Sequence, residues 1–175
     1  PPRKINTIKN YADPLPSGVD GFLYNDILVI KQPPLAAPKL ELLNTGTQEN
    51  FLEERFICFG YRYKYEDDEY SATSQFTSPA FSPKDYLLST DSYLNEGMTN
   101  FYNTAEITFN TGGPLIIGVD LLFKEASSSV IKVIEKLNKN KQGYSDYQDV
   151  VYSFSNSKIF TILPEAEILR LYDNV

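Results

Sequence analysis

Residues 56 to 76, FICFGYRYKYEDDEYSATSQF, hold the tightest constraint in the chain. Successive side chains of a strand point to opposite faces, so Ile57, Phe59, Tyr61, Tyr63 and Tyr65 share one face while Phe56, Cys58, Gly60, Arg62 and Lys64 share the other. Four acids, Glu66, Asp67, Asp68 and Glu69, interrupt the pattern, and Tyr70, Ala72, Ser74 and Phe76 then resume it against Ser71, Thr73 and Gln75. The stretch predicts a long antiparallel hairpin with the acids at its wet tip. Ten residues at about 3.3 Å each span roughly 33 Å. Only the first half is apolar on both faces, so the second half is expected to leave the core and reach toward solvent.

The rest of the chain repeats this grammar of short alternating runs and turns. Residues 1–38 read as an extended, proline-punctuated lead-in, with Ile27 to Ile30 a strand candidate and PPLAAP running into KLELL, where Leu40 and Leu42 face opposite to Glu41. TSPAFSPKDY is a Pro-bounded exit from the hairpin, and STDSYLNEGMTN a polar loop. NTAEITFNTGG predicts a half-buried strand, since Ala105, Ile107 and Phe109 alternate with Thr104, Glu106 and Thr108 before a Gly-Gly-Pro turn. LIIGVDLLFKE and VIKVIEKLNK flank a Ser turn. Val130, Val133, Ile134 and Leu137 would fit a helical face, but the β-branched content favours a strand. NKNKQGYSDYQD reads as a polar loop, VVYSFSNSKIFTIL as two short strands around Asn156 and Ser157, and PEAEILRLYDNV as a turn or two of helix. Turn-separated strands without long helices point to an all-β sandwich over 39–163, followed by a short C-terminal helix or linker over 164–175. Lacking a Cys pair and a core Trp, the sandwich is expected to be fibronectin type III-like or more generically immunoglobulin-like.

Composition narrows the chemistry. With no His and one Cys, Cys58, the 175 residues cannot build a Ser/His/Asp or Cys/His constellation, a Cys/His zinc site or an intrachain disulfide. The net charge of −7 opposes a grip on nucleic-acid phosphates. No run of about 18 apolar residues is present, and membrane insertion is not expected. Beginning at Pro1 rather than Met, the chain reads as a piece of something longer.

Each candidate site has a plainer explanation. Glu66 to Glu69 could attract calcium, but adjacent carboxylates on a tight hairpin diverge, and calcium loops use alternating ligands around a Gly. Tyr61, Tyr63 and Tyr65 could stack bases or sugars, yet aromatics spaced by two are expected to pack between sheets, with Tyr65, nearest the tip, the exception. Arg62 and Lys64 are too few for a nucleic-acid groove. NTGGP lacks the strand-to-helix setting of a phosphate loop. Lys132, Lys136, Lys139 and Lys141 form the one basic concentration, expected to be a solvated face. No catalytic, cofactor-binding or metal-ligating residue is expected.

Residues 49–81, 94–113, 121–139 and 152–175 resemble an internal region of the stabilisation, or muzzle, proteins of crAss-like bacteriophage tails, with RYKY, EYSATSQ, FNTGG and RLYDNV the most specific stretches. PPRKIN is similar to the segment that introduces this region. The resemblance implies a non-enzymatic structural component of the virion near the distal end of a short tail. It would pack against copies of itself and neighbouring tail or portal proteins in a ring around the DNA exit channel, without specific nucleic-acid binding. The alternative is a fibronectin type III-like binding module of a secreted or surface bacterial protein that holds glycan or protein through exposed tyrosines.

Overall fold

The computed structural model describes residues 29–46, 49–83, 85, 89–91, 97–158, 160–164 and 167–168. Among these, strands run at β1 (Lys39–Leu43), β2 (Ile57–Tyr65), β3 (Tyr70–Thr73), β4 (Thr104–Asn110), β5 (Ile116–Glu125), β6 (Lys132–Asn138), β7 (Asp149–Phe154) and β8 (Thr161–Ile162), with one helical turn, α1 (Lys139–Gln142). They form two antiparallel sheets, ordered β1-β4-β7 and β3-β2-β5-β6-β8. The fold is all-β, and the sheets pack face to face. Phe59 of β2 meets Phe154 of β7 with ring centroids 5.2 Å apart, and Tyr61 meets Phe109 of β4 at 6.0 Å.

Periodicity explains most of this. Ala105, Ile107 and Phe109 are buried on β4, and Leu40 and Leu42 pack against the same core from β1. The segment that also fitted a helical face is strand β6. A register shift beside it, between Leu121 and Leu122, leaves Ile134 as an extra residue, so that Ile134 and Leu137, three apart, both join the main core while Val133 packs on the opposite face. The polar loop after β6 contains α1, because Asn138 caps the Lys141 amide at 3.0 Å and Gly143 ends the turn at φ 70°.

Several expectations are corrected. Val29 and Ile30 form a bend, not the end of a strand, while residues 27 and 28 lie outside the described residues. The expected C-terminal helix also lies largely outside them. Its visible start is the pair of amides of Glu167 and Ile168 turned onto the Pro164 carbonyl. β2 does not leave the core: Tyr63 and Tyr65 are buried, and Arg62 on the other face is 2% exposed. The reason is a second apolar layer on the far side of the five-stranded sheet, where Leu163 and Ile168 pack with Leu122, Ile131, Val133 and Phe76. Gly60 makes room for it, since a Cβ there would sit 3.2 Å from the Phe76 ring.

The returning arm of the hairpin also departs from simple alternation. After β3, the chain advances three residues for every two of β2: the amides of Ser74, Thr77 and Ala80 donate to the carbonyls of Tyr61, Phe59 and Ile57. Ser71, Ser74 and Thr77 fill the gaps with side-chain oxygens that accept from the amides of Tyr63, Tyr61 and Phe59, each at 3.0 Å. This serial bulge satisfies the β2 edge without a regular partner strand, and Pro79 follows within it, where a missing N–H is harmless.

Candidate functional site

The tip end of β2 brings together the residues with most chemical potential. Tyr61, Tyr63 and Tyr65 point inward, with the Tyr61 and Tyr63 rings edge-on at 5.7 Å. The Tyr63 hydroxyl donates to the Asn110 carbonyl at 3.3 Å, and the Tyr65 hydroxyl to the Gln32 carbonyl at 2.8 Å. Burial raises the pKa of all three phenols, that of Tyr65 to about 12. Tyr65 is therefore no exposed exception to the packed ladder. Among the described residues, the exposed tyrosine is Tyr147, at 69%.

A cavity of about 350 Å³ lies here, lined by these tyrosines together with Pro33, Pro34 and Pro114. Its floor is the NTGGP turn. Gly112 has φ +69°, and a Cβ at this position would fall 2.3 Å from Ile116 Cδ1. Lys139 braces the turn from below, its ammonium donating to the carbonyls of Gly112 at 3.1 Å and Gly113 at 2.9 Å and pairing with Asp146. At 5% exposure, Lys139 does not belong to a solvated basic face. Lys132 likewise lies over the Phe123 ring, 5.4 Å from its centroid.

The roof is the end of the lead-in. Lys31, 8% exposed, reaches Asp67 at 2.6 Å and lies 5.1 Å from the Tyr65 ring centre, while Pro34 and Pro38 are buried. Asp68, at φ 62°, pairs with Lys64 at 2.7 Å. The acidic tip is thus more than a wet corner, because Asp67 anchors the preceding segment. Among the described residues, no group of three or more His, Cys, Asp or Glu could hold a metal ion.

On the opposite face, Arg62 donates through Nε and Nη2 to Asp120 Oδ2 at 3.1 and 3.0 Å and to Glu167 at 3.0 Å, beneath the Tyr70 ring at 3.9 Å. Burial outweighs the guanidinium and raises the Asp120 pKa. On sequence alone, Arg62 counts only as one of two cations too few for a nucleic-acid groove. The available signal was Asp120, a lone charge inside the apolar run IIGVDLLF, which required a partner on a neighbouring strand.

Comparison of the chain with protein-family models, curated proteins and solved structures finds no match.

Proposed function

We propose that the chain is a mechanical module, a non-enzymatic sandwich domain of a bacteriophage tail nozzle protein of the crAss-like kind. In this reading it packs against copies of itself and neighbouring tail proteins around the DNA exit. The observation that carries the mechanical part is the use of the buried cations among the described residues: Lys31, Arg62 and Lys139 are each committed to a structural contact that ties one segment to another. The four resembling segments supply the setting. The net charge of −7 suits a surface that duplex DNA passes without adhering.

The finer fold assignment belongs to the same proposal. Taking β1 to β6 as strands B, C, C′, E, F and G of an immunoglobulin-like domain reproduces the pairings B–E, C–F, F–G and C–C′. The place beside E, held by strand D in constant-type domains, is taken by β7, which comes after G in the chain.

Imaging of intact particles that contain this chain tests the reading. The expected result is this two-sheet fold repeated in a ring at the distal tail, and its absence from purified virions by mass spectrometry would refute it. A salt-sensitive affinity for duplex DNA near micromolar would separately contradict the non-adhesive role. The binding-module alternative draws on the tyrosine-lined cavity and exposed Tyr147. A glycan-array signal abolished by Tyr147→Ala would favour it over the virion role.

A further inference from the structure

The lead-in contacts the tyrosine groove with a specific set of chemistries. Gln32 and Pro33 each precede a proline and are biased toward extended or polyproline backbone, so KQPP presents a stiff, pre-ordered segment. Aromatic-lined grooves recognise such segments through proline rings, a hydroxyl donated to a ligand carbonyl, and charge at one flank. All three elements meet here. Pro33 and Pro34 line the same cavity as Tyr61, Tyr63 and Tyr65. The Tyr65 hydroxyl donates to the Gln32 carbonyl. The cation that precedes the prolines, Lys31, is seated on Asp67 at the acidic tip and over the Tyr65 ring.

We propose that the tyrosine groove is a docking site for a proline-rich extended segment preceded by a cation, that residues 31–36 occupy it as a ligand in cis, and that its partner in trans is the same segment of a second copy. The chain's own segment is the argument for the occupant, since charge, hydroxyl and proline complementarity are already displayed. Exchange between copies replaces each contact with an identical one, so it requires no new surface. Residues 31–38 lead directly into β1, leaving Pro38 and Lys39 as the junction about which the segment would redirect. This goes beyond the tail assignment and does not depend on it.

Two full-length variants test the exchange. Lys31→Glu places a carboxylate against Asp67 and expels the segment from its own groove. Asp67→Lys leaves the segment intact but makes its own groove repel Lys31. Each variant alone is expected to sediment as a monomer at about 0.1 mM, well below the effective concentration of a tethered segment. Mixed in equal amounts they should form a complex of twice the mass. The native Lys31 of the Asp67→Lys chain then meets the native Asp67 of the Lys31→Glu chain, and the two introduced charges, one carboxylate and one ammonium, meet in the reciprocal contact. Far-UV circular dichroism of each variant checks that the sandwich is folded. As a second measurement, a peptide covering residues 29–39 should bind the Lys31→Glu chain at least tenfold more tightly than the wild-type chain, whose groove is already covered by its own segment. A mixture that stays monomeric, or a peptide that does not distinguish the two chains, would overturn the proposal.

Discussion

The Arg62–Asp120 pair offers the sharpest energetic test of the packing. Both side chains are almost fully buried, at 2% and 3%, and one carboxylate oxygen takes two guanidinium N–H groups. Removing one partner of such a pair strands a buried charge, at about 3–5 kcal/mol, whereas replacing both by apolar residues of similar size is neutral or stabilising by about 1–4 kcal/mol. Asp120→Leu should fall at the lower end, because Glu167 and the Tyr70 ring still face Arg62. At about 2–4 °C per kcal/mol for a chain of this length, the loss corresponds to roughly 6–20 °C in Tm. Glu167→Ala, whose carboxylate is 39% exposed, should lose no more than about 1 kcal/mol. The Arg62→Met/Asp120→Leu double variant should recover to within about 1 kcal/mol of wild type. Urea denaturation of wild type, Arg62→Met, Asp120→Leu, Glu167→Ala and the double variant at pH 7 measures this directly. An additive double variant, or an Asp120→Leu loss below about 1 kcal/mol, would refute the claim that the pair is desolvated and mutually dependent.

Other perturbations probe separate links. Ser74→Ala removes the acceptor for the buried Tyr61 amide and should destabilise by about 1–3 kcal/mol in urea, with faster hydrogen exchange at Tyr61. Gly112→Ala forces a Cβ into Ile116 at a left-handed position, so a loss of about 1–3 kcal/mol and a lower Tm are expected. In alkali, Tyr65 keeps its proton in the folded chain up to about 12 while an unfolded chain loses it near 10, so stability should decline as pH rises through that interval. Absorbance at the phenolate band should accordingly show the buried ladder of Tyr61, Tyr63 and Tyr65 ionising together with unfolding. For Asp120 the folded pKa is raised above 3.8, so its contribution to stability is greatest below that value and diminishes as pH rises through the folded value, a slope that Asp120→Asn should abolish.

What sequence alone made legible was whatever depends on near neighbours. Alternation fixed the inward faces of β1, β2 and β4, and β-branched residues settled β6 as a strand, because both follow from the two-residue period and from local rotamer crowding. The larger departures involve partners far along the chain. Arg62 and Asp120 are 58 positions apart, and Lys31 and Asp67 are separated by two strands, β1 and β2, and the loops before them. No periodicity connects such pairs. The serial bulge is an intermediate case: Ser71, Ser74 and Thr77 recur every three residues, a period visible in SATSQFT but masked by reading the same stretch in twos.

That third period bears on how the sandwich controls its edges. β2 has nine residues, and its neighbour on one side, β3, has only four. A regular strand continuing beside β2 would have had its own far edge of alternating free amides and carbonyls, a template for unwanted pairing. By bonding to β2 with both backbone amides and hydroxyls, the segment from Ser71 to Ala80 satisfies the strand while denying it a flat, extendable border. Replacing Ser71, Ser74 and Thr77 together by valine should therefore do more than destabilise. Three β-branched residues in a segment stripped of its hydroxyl ties favour regular strand, so the triple variant should aggregate with thioflavin-positive kinetics at concentrations where Ser74→Ala alone stays soluble. A triple variant that unfolds earlier yet remains monomeric would show that the hydroxyls serve stability alone.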